Sequence, residues 1–413
     1  MTPARSMDSA WRHLLFWAVL ATTGGILFSM ALSSIAFGVS VIIFLVMIIM
    51  AWRGGHGASL LRPNGMEWYI LAWIAAVLLM VVFARYPGSA LGSAKRALLI
   101  SLVYMLPAMF GSQADVRRFL LLLAGIAGLH SLLSIVLFVI GDAARLGIFQ
   151  HYMTGGGIRM LLLLLLLPVA LDRNTPRTQR IVTAIAMLFI LFALVLTQTR
   201  SSWLAFGAGA VFLGVIRYRT LLLGLAVLAL VFWFAAPAQY QNRITHMFTT
   251  DSKLVEGAAG DTEAVVGSNR SRLRMLETGW RMFLDHPITG VGDGEMHALY
   301  REYVPDAIKD EGGHLHNTYI HVLATHGVVG GVALLLLFFG LGRCFFRTYV
   351  RHRESMPGTI ALGAMAAFIG FLVNGLAEYN VGDHEIVLML WMIVGVTVAA
   401  ARTDASPPLK AVL

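Results

Sequence analysis

Read for hydropathy alone, the chain alternates long apolar blocks with short polar connectors. The blocks run for roughly 15–22 residues, long enough as helices to cross a hydrocarbon core of about 30 Å. About twelve spans are predicted, near residues 12–30, 32–51, 66–84, 97–111, 117–140, 157–171, 181–198, 202–216, 220–236, 327–346, 358–377 and 386–401. The pattern predicts an all-α, polytopic membrane protein in three parts. Transmembrane helices 1–9 occupy residues 1–236, a polar helical loop subdomain residues 237–326, and transmembrane helices 10–12 residues 327–413.

Composition narrows the class. Of 413 residues, 58% are hydrophobic and 13% charged, against roughly 25% charged in soluble domains. An ordinary soluble enzyme, a disordered chain and a disulfide scaffold are excluded. The single cysteine, Cys344, allows neither an internal disulfide nor a thiolate cluster. The net charge of +9 is scattered between apolar blocks, which fits membrane topology and lipid contact, not nucleic acid. No small-residue cleavage site follows the first apolar run, so that run is expected to stay as a helix.

With the N-terminus inside, the inner segments carry Arg5 and Arg12, Arg53 and Arg62, Arg117 and Arg118, then Arg173, Arg177 and Arg180. Arg217 and Arg219, the group from Arg343 to Arg353, and Arg402 complete the basic inner side. Both termini are then cytoplasmic. Arg85, Lys95, Arg96, Arg145, Arg159 and Arg200 break the pattern, falling at or just inside the outer face. Any one of them could snorkel to headgroups. As a ring of cations that opposes the topogenic bias, they point to an anionic ligand, most simply a phosphate or pyrophosphate.

Residues 237–315 form the long polar stretch on that face. They hold 12 of the 22 acidic and eight of the 31 basic residues, so the region is near neutral. Thr249 to Gly267, rich in Gly, Ala, Asp and Glu, reads as loop. A helix is predicted from Ser268, with Leu273, Leu276, Trp280 and Phe283 at helical spacing. Asp285-His286-Pro287 ends it, Gly290, Gly292 and Gly294 make a turn, and a short helix over 295–303 precedes Pro305. No strand precedes these glycines, so a nucleotide loop is not supported.

His314, His316, His321 and His326 then cluster where the chain re-enters the membrane. Spacings of two and five residues do not share a helix face and no HExxH occurs, so neither a metal nor another cofactor is expected. Acid–base chemistry fits better: an imidazole can take a proton from an attacking sugar hydroxyl, with Asn317 and Thr318 fixing its tautomer or orienting substrate. For His321 and His326 the plainer reading is a polar residue at the headgroup level.

At these residues the chain resembles the O-antigen ligases, within the wider group of lipid-linked-oligosaccharide ligases and polymerases. His316-Asn317, nine residues, then Gly327 and Gly330 fit the ligase spacing. Thr197-Gln198-Thr199-Arg200 is similar to the family's Thr-x-Ser-Arg segment, with Thr199 for the commoner Ser. Arg272 to Leu276 and His286-Pro287-Ile288-Thr289-Gly290-Val291-Gly292 resemble its Arg-led helix and its His-Pro-x-x-Gly-x-Gly turn.

The resemblance implies transfer of a glycan from undecaprenyl pyrophosphate to a lipid A–core sugar at the periplasmic face of a bacterial inner membrane. It would need no nucleotide sugar and no metal, and would invert the anomeric centre. Arg200 and Arg272 would hold the pyrophosphate, and His316 would be the general base. Arg85, Lys95, Arg96, Arg145 and Arg159 would bind phosphates of donor or core, joined by Asn317 and by Arg270 or Arg274, either of which could stand in for Arg272. A repeat-unit polymerase, a protein-glycosylating relative and a transporter of anionic lipid-linked substrates are the alternatives. Cations gathered on one face, with no inverted repeat, speak against transport.

Overall fold

The computed structural model describes residues 3–54, 60–141, 144–249, 260–304 and 313–404. These residues form helices and connectors, with no strand among them. In chain order the helices are α1 (Pro3–Gly25), α2 (Met30–Arg53), α3 (Glu67–Phe83), α4 (Pro87–Ala94), α5 (Leu102–Met109), α6 (Gln113–Ile140), α7 (Tyr152–Leu171) and α8 (Arg177–Leu196). There follow α9 (Arg200–Ile216), α10 (Arg219–Ala235), α11 (Ala238–Thr245), α12 (Gly260–Asp285), α13 (Met296–Tyr303), α14 (Thr318–Arg351), α15 (Met356–Asn374) and α16 (His384–Thr403).

Each predicted span falls on a helix. Among the described residues, 8 helices are long and apolar enough to cross a membrane, or 9 if α10 and α11, bent by 116°, are one broken span. The apolar helices α3 and α9 are shorter, at 17 residues each. One span runs from α4 through a 3-10 turn into α5, starting before the predicted residue 97 because Pro87-Gly88-Ser89-Ala90 is too weakly apolar to stand out.

Burial sorts the helices into a centre and a rim. The centre is α7, α15 and α16, each apolar around most of its circumference and buried along most of its length. In α7 the run Leu161–Leu166 is entirely inside. At the rim, α10 buries no residue, and Ile35, Val82 and Phe234 point outward. Apolar side chains facing outward at this density are what a lipid solvent requires.

The long α14 is broken at Gly327, whose φ of 63° and ψ of −163° lie outside the helix. A break strands the last carbonyls of one segment and the first N–H groups of the next. The turn after α12 supplies both sets. Val291 and Gly292 donate to the carbonyls of Ala324 and Thr325 at 2.9 and 3.0 Å, and Val328 donates to the Pro287 carbonyl at 2.8 Å. The His-Pro-x-x-Gly-x-Gly turn is therefore the cap of a broken helix. A Cβ on Gly327 would collide with the Ile288 carbonyl, in a backbone conformation L-residues rarely adopt. Gly327→Ala should accordingly lower stability by about 2–3 kcal/mol or more, read as a thermal melt of the detergent-purified protein; an unshifted melt would remove this account of the break.

Two expectations for the polar region need correcting. α12 begins at Gly260, so residues 260–267 are helical, and Val265 and Val266 are buried against the body of the protein. Residues 250–259 of the predicted loop lie outside the described residues, as do Pro305 and Gly312. The predicted stripe is also not the packed face: Leu273 and Trp280 are about half exposed, while Met275 and Met282 are buried. Gly279 explains the choice, since it lies against Leu315 and Ile320 where a Cβ would not fit.

Candidate active site

The residues with most chemistry converge on one carboxylate that the sequence reading passed over. Glu378 lies in the connector between α15 and α16 and is 5% exposed. Its Oε1 accepts from Arg272 Nη2 at 2.9 Å and lies 3.4 Å from Ser201 Oγ; its Oε2 meets His316 Nδ1 at 3.2 Å. Burial alone would raise its pKa. The hydrogen bond from His316 and the Arg272 charge outweigh that, holding the carboxyl below the ordinary glutamate value. An ionised carboxylate can only accept, so Nδ1 of His316 carries the proton and Nε2 is left as a base.

The backbone around His316 is built for this contact. His316 has a φ of 48°, a left-handed conformation costing a non-glycine residue about 1–2 kcal/mol. Its neighbours hold it there. Asn317 caps α14 by accepting from Ile320 N at 2.9 Å and donates through Nδ2 to the Leu376 carbonyl at 2.8 Å. Thr318 donates through Oγ1 to the Glu378 carbonyl at 2.8 Å, and its own N–H reaches the Gly375 carbonyl at 2.7 Å. The His316 and Glu378 connectors are thus stitched together before any side-chain pairing.

His321 secures the other flank. Its Nδ1 accepts from Leu315 N at 3.3 Å, which puts its proton on Nε2, 3.3 Å from Asp293 Oδ1. Asp293 also accepts from Arg96 at 2.5 Å and Tyr379 at 3.2 Å, and the Tyr379 ring stacks on His321 with centroids 3.5 Å apart. Burial opposes ionisation of Asp293, but the His321 hydrogen bond and the Arg96 charge pull its pKa far below the usual range. His326 is buried, stacked on Trp73 and hydrogen-bonded to Thr325 Oγ1.

Cations fill the side toward α9 and α12. Arg200 opens α9 and donates to Asn269 Oδ1 at 2.8 Å, with Arg145, Arg243 and Arg272 within electrostatic reach. Gln198, in a left-handed conformation with φ 54°, ties this side together. Its carbonyl accepts from Arg145 at 2.9 Å and its Oε1 from Arg243 at 2.8 Å. Arg145 also stacks on Tyr152, 4.0 Å from the ring centroid. Burial lowers the Arg145 pKa, and the charge of Arg272 adds to the effect. Four guanidinium groups held near one another, with one buried carboxylate among them, favour a dianionic or more highly charged ligand.

The other predicted residues fall elsewhere. Of Arg270, Arg272 and Arg274, Arg272 is the one paired with Glu378, while Arg270 is exposed. Arg85 forms a surface ion pair with Glu302 at 3.2 Å, and Lys95 is exposed. Arg159 is 4% exposed inside α7 and its Nε has no hydrogen-bond partner. No three His, Cys, Asp or Glu side chains among the described residues are grouped to hold a metal ion. The sequence reading missed Glu378, Asn269, Gln198, Arg243 and the Asp293–Tyr379 pair. Two acids, Glu378 and Asp383, in the short connector between the last two spans were the available signal for Glu378.

Residues 185–335 match the family model described as O-antigen ligase. That stretch runs from α8 through the first part of α14 and contains Arg200, Arg272 and His316. The match bears out the resemblance read from the sequence and supports a glycosyl-transfer enzyme of the ligase and polymerase type in a multi-pass membrane protein. No curated protein matches the chain.

Proposed function

We propose that this protein is an O-antigen ligase, moving a glycan from undecaprenyl pyrophosphate to a sugar hydroxyl of lipid A–core at the periplasmic face of a bacterial inner membrane. The observation that carries the reading is the Arg272–Glu378–His316 chain beside the arginine group. Glu378 fixes the imidazole tautomer, so Nε2 of His316 takes the proton from the acceptor hydroxyl as its oxygen attacks the anomeric carbon. The bond from that carbon to the pyrophosphate oxygen breaks, and undecaprenyl pyrophosphate leaves with the bonding pair. Arg200 and Arg272 stabilise the charge developing on it, with Arg145 and Arg243 behind them. The energy comes from the glycosyl–pyrophosphate bond, so no nucleotide sugar is required. Asn317 acts on this reading by holding His316 in place.

Arg200→Lys should be nearly as damaging as Arg200→Ala, because lysine keeps the charge but loses the planar fork that fits two phosphate oxygens. Transfer at close to the normal rate by the lysine variant would remove Arg200 from the pyrophosphate site. The function itself is read from lipopolysaccharide gels of a deletion strain. Bare core with accumulated lipid-linked polymer is the expected pattern, and the wild-type gene should restore the ladder. Core bearing a single repeat unit would identify a polymerase instead. An unchanged ladder would exclude both.

A further inference from the structure

Beside the Glu378–His316 pair lies a cavity of about 300 Å³. That is the lower end of the roughly 300–1,000 Å³ spanned by small-molecule sites. Its walls come from α4, the start of α7, the turn before α13 and the connector between α15 and α16. Glu378 and His314 form its inner wall, and both lie against His316: the carboxylate at 3.2 Å, the His314 ring with centroids 4.0 Å apart. A molecule filling the cavity therefore ends against two residues that flank His316.

The lining selects against phosphate. Arg96 supplies a guanidinium, but that group is already bound to Asp293 at 2.5 Å. His151 and His314 add no charge near neutral pH, since burial lowers both, His314 to about 3. Carboxylates remain: Asp383, which accepts from Thr154 Oγ1 at 2.5 Å, and Glu295. Ser89 and Ser93, four apart on one face of α4, add hydroxyls to the wall. A cavity with hydroxyls and carboxylates and no uncommitted cation among its described lining residues disfavours a pyrophosphate and suits the hydroxyls of a neutral sugar, each of which donates as well as accepts.

Backbone strain marks the same place. Among the described residues, the non-glycine ones with left-handed φ are Gln198, His316 and Glu295, at 54°, 48° and 51°. The first two belong to the arginine group and the base. Glu295 belongs to neither; it caps α13 without a side-chain hydrogen bond and turns its residue into the cavity wall. Strain of this kind persists where function holds it.

We infer that this cavity is the acceptor subsite and that the sugar it receives is uncharged, gripped by Glu295 and Ser93 while its hydroxyl faces His316. The inference rests on the ligase reading above. Donor and acceptor then meet at the Glu378–His316 pair, one selected by arginines and the other by carboxylates and hydroxyls.

The test uses the full-length purified protein and two readouts. In transfer assays with lipid-linked donor and a core lipopolysaccharide ending in neutral hexoses, Glu295→Gln and Ser93→Ala should raise the acceptor KM about tenfold, with the donor KM and kcat within about twofold of wild type. In titrations without donor, deacylated core oligosaccharide should bind wild type and bind Glu295→Gln about tenfold more weakly. Unchanged acceptor KM and unchanged oligosaccharide affinity in both variants would overturn the subsite while leaving the ligase reading intact. Oligosaccharide binding that depends on Glu295, in a protein that transfers to no acceptor, would uphold the subsite and overturn the ligase reading.

Discussion

Glu378→Gln is expected to cut the rate of glycan transfer by about 10²-fold or more, although glutamine fits the same space. Glutamine can turn its amide NH₂ toward His316 or its carbonyl oxygen toward Arg272, but it cannot give an anionic oxygen to each as Glu378 does at 3.2 and 2.9 Å. With the amide facing it, Nδ1 becomes the acceptor, the proton moves to Nε2, and the base is lost. Glu378→Ala should also destabilise the fold by on the order of 3 kcal/mol, because Arg272 loses its partner in a sheltered site. Comparing transfer rates with thermal melts separates the two effects: Glu378→Gln should keep the melt and lose the rate. A Glu378→Gln enzyme of normal rate would end the assignment of Nε2 as base.

His316→Ala is expected to abolish measurable transfer, a loss of about 10²–10⁴-fold, while donor binding stays close to normal. The two parts of that expectation have separate structural sources. The proposed base lies on the connector before α14, whereas Arg145, Arg200 and Arg243 are held by hydrogen bonds to Gln198 and Asn269. Alanine also tolerates the left-handed φ at this position poorly, so Asn, which tolerates it better, is the control for backbone strain. His316→Asn should be as inactive as His316→Ala with a melt nearer wild type. Loss of donor binding in both variants would instead place His316 in the donor site.

Much of this was legible in the sequence because the membrane simplifies the problem. A lipid solvent demands apolar helices, and each of the predicted blocks fell on a helix, although α1, α3 and α9 fall short of the length or apolarity of a full span. The cations out of place by charge bias led to Arg145 and Arg200, and the histidine cluster led to His316. Spacing could not rank those cations. Arg85 proved to be a surface ion pair, and the phase of α12 alone set Arg272 apart from Arg270 and Arg274.

Glu378 was missed for a different reason. It lies 62 residues from His316 and 106 from Arg272, so only the packing of α12 and α15 against α14 brings them together. An acid in a short connector, with Asp383 as a second one beside it, has no periodicity and no motif to announce it. The phase error in α12 has a similar origin. The Leu273 and Trp280 stripe is the more hydrophobic one, but Gly279 allows close approach of Leu315 and so determines which face is buried.

The central claim is a single displacement in which His316 activates the acceptor and the arginines receive the pyrophosphate. It is tested most directly by the configuration of the linkage formed by the purified protein from a donor of known α configuration, with released undecaprenyl pyrophosphate counted alongside. One displacement should give a β linkage and one undecaprenyl pyrophosphate for each glycan transferred. An α linkage, which requires two displacements and a glycosyl-enzyme intermediate, would contradict the claim.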